Sequence, residues 1–545
     1  MSKVAHYLQE HLLGEVITSS QARKYFATDA SICTITPAFV LYPRNENDVR
    51  KAARFTWQLA ERGRTIPITA RGLGTSQTGA AIGSGIVMVY PAHMNRILEL
   101  DGKTGAVTIE PGISCGKLQQ TLYTHGRFLP PIPMRAENTT IGGAIATNSG
   151  GEKSVKYGVM GRYVKGLRVV LANGEIIATK RLAKRELSKK LGLSTFEGEI
   201  YRTLDTLLEE NQDTVKSLKL GVTKNSAGYA LADIRHKDGS FDLTPLFVGS
   251  EGTLGLITEA TLDSEIYNPA TTLIAAYIDD FQVAEEILAE LRKLPEGPSA
   301  VEMVDGQLLG FIDQYSPNQL KGVIDKPFPK LVLLIEFDNS SARLQKRMVK
   351  KTQKLLKHYQ VTFQTETEEA GQQTLWKIRD SATSVITHTD SNLRAVPFIE
   401  DAIVPVERFN EYLGSVYALL AKHHLMAGVW GHAGDGNLRL QPFLDISQIG
   451  DRQKLFRLMD EYYDLVIGLG GSTSAGNGDG RVRSSYLPKL YGDDAYELFE
   501  KVKLAFDPYG TLNPGVKVGT NIESLKPLLR YDYSVEHLYD HLPRS

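Results

Sequence analysis

The sequence predicts an α+β protein in two parts, and three observations carry the prediction. A helix-sized run and two strand-sized runs, with a glycine-rich loop between the strands, open the N-terminal half. Strand and helix patterns alternate again from about 268 to 464. Glycine, at 49 residues, is concentrated in a few short segments at strand and helix edges, beyond what turns require. The first unit starts at 45–63, where Val49, Ala52, Ala53, Trp57, Leu59 and Ala60 recur at helical spacing and Gly63 supplies a stop. The runs TIPITA (65–70) and GIVMVYP (85–91) follow as strands, making a β-α-β unit with the glycine loop at a strand end, where ligands bind. Over 106–262, AVTIE, LRVVLA and LGLITEATL are strand patterns and GKLQQTLYTHG a helix. Lys180, Arg181, Lys184, Arg185, Lys189 and Lys190 form a basic helical run leading into helices up to about 219. Its reading is the solvated face of an inserted helical hairpin, the alternative being a docking face for an acidic partner or membrane. Over 268–464, TLIAAYID and KLVLLIEFD alternate with AEEILAELRKL and ARLQKRMVKKTQKLLKHY, a separate α+β substrate unit.

Composition excludes several classes. Lys and Arg number 62 against 63 Asp and Glu, so the basic excess of a nucleic-acid binder is missing. Two cysteines, Cys33 and Cys115, are too few for a disulfide framework, a four-thiolate zinc site or an iron–sulfur cluster. The opening residues carry Lys3, His6, Glu10 and Glu15 and lack a signal-peptide pattern, and no apolar run approaches membrane-helix length. The expectation is a cytoplasmic protein without a transmembrane segment, with peripheral membrane contact left open.

The loop 71–81 (RGLGTSQTGAA) lets several main-chain N–H groups approach an anion such as a phosphate or diphosphate. It is neither a P-loop nor the dinucleotide fingerprint, because no Gly-Lys-Ser/Thr follows and Gly72 and Gly74 lack a glycine three residues on. Alone it is as consistent with a surface loop, but 139–151 (TTIGGAIATNSGG), 155–164 (VKYGVMGRYV) and 248–258 (VGSEGTLGLIT) repeat its chemistry.

With EPGISCGKL, YGVMGRYVKGLRVVLANGE, GSEGTLGLITEATL, GHAGDGN and FDPYGTLNPG, this ordered set resembles the FAD-linked oxidoreductases of the vanillyl-alcohol-oxidase-like superfamily. Within it the chain is similar to the branch of D-lactate, glycolate and D-2-hydroxyglutarate dehydrogenases. The segments YFATDASICTITPAFVLYPRNENDV and GDGRVRSSYLPKLYG resemble the subgroup whose longer members continue into an iron–sulfur domain. With two cysteines and an end soon after GTLNPGVKVG, this chain is expected to lack that domain and to pass electrons to an unidentified acceptor. The resemblance implies a PCMH-type bipartite FAD-binding domain over 1–265 with a helical insertion at about 180–220. It also implies a ferredoxin-like α+β cap over 266–465 and a C-terminal segment, 466–545, returning to the FAD domain.

The resemblance further implies that Arg71, Gly72, Leu73, Gly74, Thr75 and Ser76 wrap the FAD diphosphate, with Gly79 completing the turn. Thr140, Gly142, Gly143, Asn148 and Gly151 would lie along the cofactor, Glu251, Gly252, Gly255 and Ile257 would complete the cleft, and Asn513 would approach the flavin ring. Leu73 stands where relatives with tethered flavin carry a histidine, so a non-covalent FAD is expected. Oxidising a 2-hydroxy acid also needs a proton acceptor and a group to fix the carboxylate. The family supplies them with two histidines and a glutamate around a divalent metal and a further histidine as base. Here His432 is retained, but Arg439, Gly476 and Asn477 stand at the other three places. A guanidinium and a glycine cannot ligate a metal, so none is expected.

Arg439 is then expected to bind the substrate carboxylate directly, with Arg379 as the other half of the clamp. His432 is the candidate base, weighed against a structural role beside the Asp435-Gly436 turn. Asn477 orients substrate or water but takes up no proton. Glu400 and Asp401 are placed in a strand entering the cap with a structural or acid/base role, and His423-His424 at a helix surface. The tail YDYSVEHLYDHLPRS is read as packing, or as docking on a partner or covering the cleft. The expected function is FAD-dependent dehydrogenation of a small hydroxylated anion, a D-2-hydroxy acid of D-lactate type, by hydride transfer to flavin N5. The alternatives are oxidation of a polyol or sugar acid, and a flavin-binding electron-transfer or regulatory subunit.

Overall fold

The helix Glu46–Ala60 is the crossover that lets its flanking strands lie parallel in one sheet. Asn45 starts it by accepting the Asp48 N–H, and Val49, Ala52, Ala53 and Ala60 form its buried stripe. In a computed structural model, which describes residues 3–133, 136–382 and 392–539, Phe39–Tyr42, Ile86–Val89 and Ile68–Arg71 pair in parallel, and Glu15–Ile17 adds antiparallel at the edge. The glycine loop leaves the carboxyl end of Ile68–Arg71, where a ligand is received in such sheets.

A second, antiparallel sheet runs in the order Ile97–Leu100, Val107–Ile109, Leu256–Leu262, Val164–Val170, Ile176–Ala178. Three of its strands are those read from the sequence. Its core takes in the helix Phe196–Glu210 and, from the far end of the chain, Leu498, Phe499, Val502 and Phe506 of Asp493–Phe506. The return is fastened at Ile68, whose N–H donates to Thr511 and whose carbonyl accepts from Asn513. The basic run divides: Lys180 and Arg181 precede the helix Lys184–Leu191, and Lys180, Arg181 and Lys190 pair with Glu186, Asp238 and Glu197.

The third sheet is antiparallel and seven-stranded, in the order Thr362–Glu366, Thr272–Ile278, Leu331–Phe337, Ala300–Asp305, Ala427–His432, Asn437–Leu444, Arg394–Ala395. Strand alternation decides its two faces. Val301 and Met303 point into the core under Phe281–Arg292, Ala342–His358, Phe409–Lys422 and Ile449–Gly468, whereas Val304 points to Gly306–Tyr315 and Glu369–Ser381. Glu302 follows Val304. Polar contacts join this domain to the first: Lys156 Nζ and Tyr157 Oη reach Asp338 at 2.5 and 2.8 Å, and Ser154 Oγ donates to Asp435 at 2.5 Å.

The strand expected around Glu400-Asp401 does not form. Both carboxylates are buried against Arg483, and Asp401 Oδ2 accepts the N–H groups of Ala475, Gly476 and Asn477 at 3.1, 3.0 and 2.8 Å. Arg483 and Arg439, with these N–H groups, hold Asp401 below the usual carboxylate range against the opposing effect of burial. His423 caps the end of Phe409–Lys422 near Glu461, and His424 is exposed.

Candidate active site

The glycine loop, the segments 139–151 and 251–257, the inner face of the third sheet and the tail enclose one cavity of about 300 Å³. Its loop end is built for an acceptor-rich ligand. Among the described residues, the main-chain N–H groups of Leu73, Gly74, Thr75, Ser76 and Gln77 have no protein acceptor. Arg71 is buried, and its Nη1 donates to Thr28 and Ala81, while Nε and Nη2 have no partner. Tyr90 Oη is likewise buried and unpartnered. Such orphaned donors are costly unless something answers them, and a diphosphate with a polar ring system does so. Gly74 is required here: its φ is +76°, and a Cβ would run into the Arg71 guanidinium.

The opposite end gathers buried titratable side chains. Register pairs Met303 with Gly431, which sets Glu302 beside His432 across the two strands. Glu302 Oε1 lies 2.5 Å from His432 Nδ1, and its Oε2 accepts from Arg379 Nε at 2.6 Å. Burial would raise the Glu302 carboxyl, but His432 and Arg379 hold it down at about 2, so it is ionised. Burial, joined by Lys224 and Arg379, keeps His432 below its ordinary value against the pull of Glu302. A neutral imidazole donating Nδ1–H to a fixed carboxylate has its Nε2 lone pair available. Lys224, also on the cavity, is anchored by Asp435 at 3.3 Å and donates to Ser154.

Arg439 lies opposite Trp430 in the hairpin, on the same face as His432 and two strand positions away, about 7 Å along the strand. Its Nη1 meets Gln77 Oε1 at 3.3 Å and stands 3.8 Å from Glu400, which Arg483 already engages at 2.7 Å. Asn477 donates its amide to Glu400 at 2.9 Å. The described residues hold no group of three His, Cys, Asp or Glu side chains suited to a metal ion. Besides the guanidinium at 439, a Cβ on Gly476 would lie 3.0 Å from the Gly150 nitrogen, so the donor set and its packing do not fit the family's metal.

Of the residues singled out in the sequence, His432, Arg439, Arg379 and Asn477 all line the cavity, as do Arg71 to Ser76, Thr140, Gly142, Gly143, Gly151, Glu251, Gly252, Gly255 and Ile257. Gly79, Asn148 and Asn513 do not. Gly79 turns its α-carbon toward Cys33 and Ser31. Asn148, at φ 53°, ends the helix Ile141–Thr147 and accepts the Gly161 N–H. Asn513 is fully buried and donates to the carbonyls of Ala80 and Glu251, tying the C-terminal return to the cavity wall from behind. Glu251 sends its carboxylate away from the cavity, to the N–H groups of Asp479 and Gly480. Arg379 gives its Nε to Glu302 and lines the same cavity as Arg439.

Sequence reasoning missed Glu302, Lys224, Tyr90 and Trp430. A carboxylate inside the buried strand AVEMVD was the available signal for Glu302. The tail both packs and walls the cleft: Tyr533, Val535 and Leu538 line the cavity, and Tyr533 Oη donates to Ala30. Residues 540–545 lie outside the described part.

Residues 37–180 match the FAD binding domain family, and 268–516 match the C-terminal domain of FAD linked oxidases. The glycolate oxidase subunit GlcD of Bacillus subtilis (strain 168) is 30% identical over 483 residues, covering 88% of this chain and 88% of its own. The D-2-hydroxyglutarate dehydrogenase of Escherichia coli (strain K12) is 31% identical over 525 residues, 93% of this chain and 50% of that protein. The chain thus spans about half the length of the D-2-hydroxyglutarate dehydrogenases it matches. An alkyldihydroxyacetonephosphate synthase shares the fold at TM-score 0.66 and 15% identity, covering 94% of this chain and 86% of that one. Matched segments and architecture together define a FAD-binding protein with a cap domain. The chain belongs to the family of FAD-linked oxidases.

Proposed function

We propose that this chain binds FAD non-covalently in the cavity and dehydrogenates a small D-2-hydroxy acid without a metal. The reading rests on one juxtaposition: His432 fixed by Glu302, and Arg439 on the same sheet face of the same cavity. Arg71 and the N–H groups of 73–77 hold the cofactor's diphosphate. When bound, FAD supplies the hydride acceptor. Arg439 receives the substrate carboxylate in a charge-assisted fork. His432 Nε2 takes the hydroxyl proton, Glu302 steadies the resulting imidazolium, and the 2-oxo acid leaves. Lys224 and Trp430 complete the wall around the reacting carbon.

Anaerobic mixing of the flavin-loaded protein with a panel of D- and L-2-hydroxy acids and uncharged polyols tests the reading. A D-2-hydroxy acid is expected to bleach the oxidised-flavin absorbance and polyols to leave it. Bleaching by polyols alone would transfer the activity to them, and bleaching by none would make the chain a flavin carrier. The mode of attachment has its own test: acid precipitation is expected to leave a colourless pellet and all flavin in the supernatant. Leu73 carries no nucleophile, and burial keeps both thiols protonated, pushing Cys33 up to about 12 and Cys115 higher still. A yellow pellet would refute non-covalent binding.

A further inference from the structure

We infer that the helix Ala342–His358 is a docking face for an anionic lipid surface. Its 17 residues, ARLQKRMVKKTQKLLKH, include no carboxylate. Gln345, Met348, Val349, Thr352 and Leu356 are buried against the third sheet. Arg343, Lys346, Arg347, Lys350, Lys351, Lys354, Lys357 and His358 are all exposed. At 3.6 residues per turn these eight positions fall within an arc of about 140° on a rod about 25 Å long. None of the eight has an ion-pair partner within 4.0 Å among the described residues. That distinguishes the helix from the run at 180–190, half of whose cations are neutralised by neighbouring acids. The acidic residues of the adjacent helix Phe281–Arg292 have other partners: Glu285 accepts from Asn410, Glu286 from Gln282, and Glu290 from Lys293. In a chain of net charge −1, this is a concentrated, uncompensated positive surface.

The character of the face selects the occupant. Protein interfaces are depleted in lysine and are built on buried aromatic or aliphatic anchors. This face has no large exposed apolar residue. A row of mobile lysines with nothing to insert matches a layer of anionic headgroups, which attracts by charge summed over many contacts. The helix covers the sheet face opposite to Glu302 and His432, so docking leaves the cavity open. Among the described residues no helix is long and apolar enough to cross a membrane, so the contact is electrostatic and reversible.

The test is co-sedimentation of the flavin-loaded chain with vesicles of equal parts phosphatidylglycerol and phosphatidylcholine, and with phosphatidylcholine alone. Binding is expected to the first only and should be lost as salt is raised from about 0.1 M to about 0.5 M. The variant K346Q/K350Q/K354Q is expected to partition about 100-fold more weakly, near fivefold per lysine. The control K184Q/R185Q/K189Q should bind as the parent does, and both variants should keep their flavin absorbance. The inference is overturned if anionic vesicles bind no better than neutral ones, if the triple variant binds like the parent, or if the chain prefers polyglutamate or duplex nucleic acid to the vesicles.

Discussion

Replacing Glu302 by glutamine is expected to cost about 3–5 kcal/mol of stability at neutral pH, because it removes the buried carboxylate that pairs with both the Arg379 guanidinium and His432. Arg379 is 1% exposed and its Nε is held by Glu302 at 2.6 Å. The sign of the pH dependence follows from the Glu302 carboxyl, which lies near 2 when folded against 4.5 unperturbed. A depressed folded value contributes stability that is complete above about 4.5 and lost as pH falls toward 2, about 3 kcal/mol in all. Denaturant unfolding across this window should therefore show a steep acid loss in the parent and a flatter one in E302Q. His432 adds in the same direction: burial holds its folded value below that of a free imidazole, so acidification also destabilises the native state.

Catalysis supplies a readout that a merely structural Glu302 would not move. The parent's rate of flavin reduction should fall at acid pH as the imidazole protonates. In E302Q the rate at neutral pH should drop about 10²–10⁴-fold, since an amide no longer fixes the Nδ1–H tautomer. Its acid limb should shift to lower pH, because the carboxylate that favoured the imidazolium is gone. An E302Q protein with the parent's unfolding curve, rate and pH profile would remove Glu302 from both roles.

The division between what the sequence revealed and what it hid follows the range of the interactions. Amphipathic spacing and β-type runs marked Glu46–Ala60, Leu256–Leu262 and Leu331–Phe337 because periodicity is local. Glycines marked the cavity wall because close backbone approach requires them wherever the partner is. The His432 partner was hidden because it is set by strand register across 130 positions of chain. The resemblance places Asn513 as a residue approaching the flavin ring, and what no local pattern reveals is that two buried carbonyls 433 and 262 positions away take its amide. The Glu400-Asp401 segment misled in another way, since its apolar neighbours mimic a strand while both carboxylates serve Arg483 and a distant turn.

Replacing Arg439 by methionine is expected to leave the fold intact and weaken hydroxy-acid binding about 10–100-fold, the value of charge-assisted hydrogen bonds to a carboxylate. The contrast with Glu302 lies in what each side chain leaves behind. The Arg439 side chain is 25% exposed, and its loss strands no buried charge, because Glu400 keeps Arg483 at 2.7 Å and the Asn477 amide at 2.9 Å. Methionine fills much of the same volume beside Trp430. Lysine should recover part of the affinity, since it restores the charge without the planar fork. Titration of the oxidised protein with a 2-oxo acid product, followed by perturbation of the flavin spectrum, measures this binding apart from the chemical step. If R439M binds the acid as the parent does, the carboxylate lies elsewhere. The anchor would then be one of the other cations on the cavity, and K224M would lose affinity if it is Lys224 and keep it if it is Arg379.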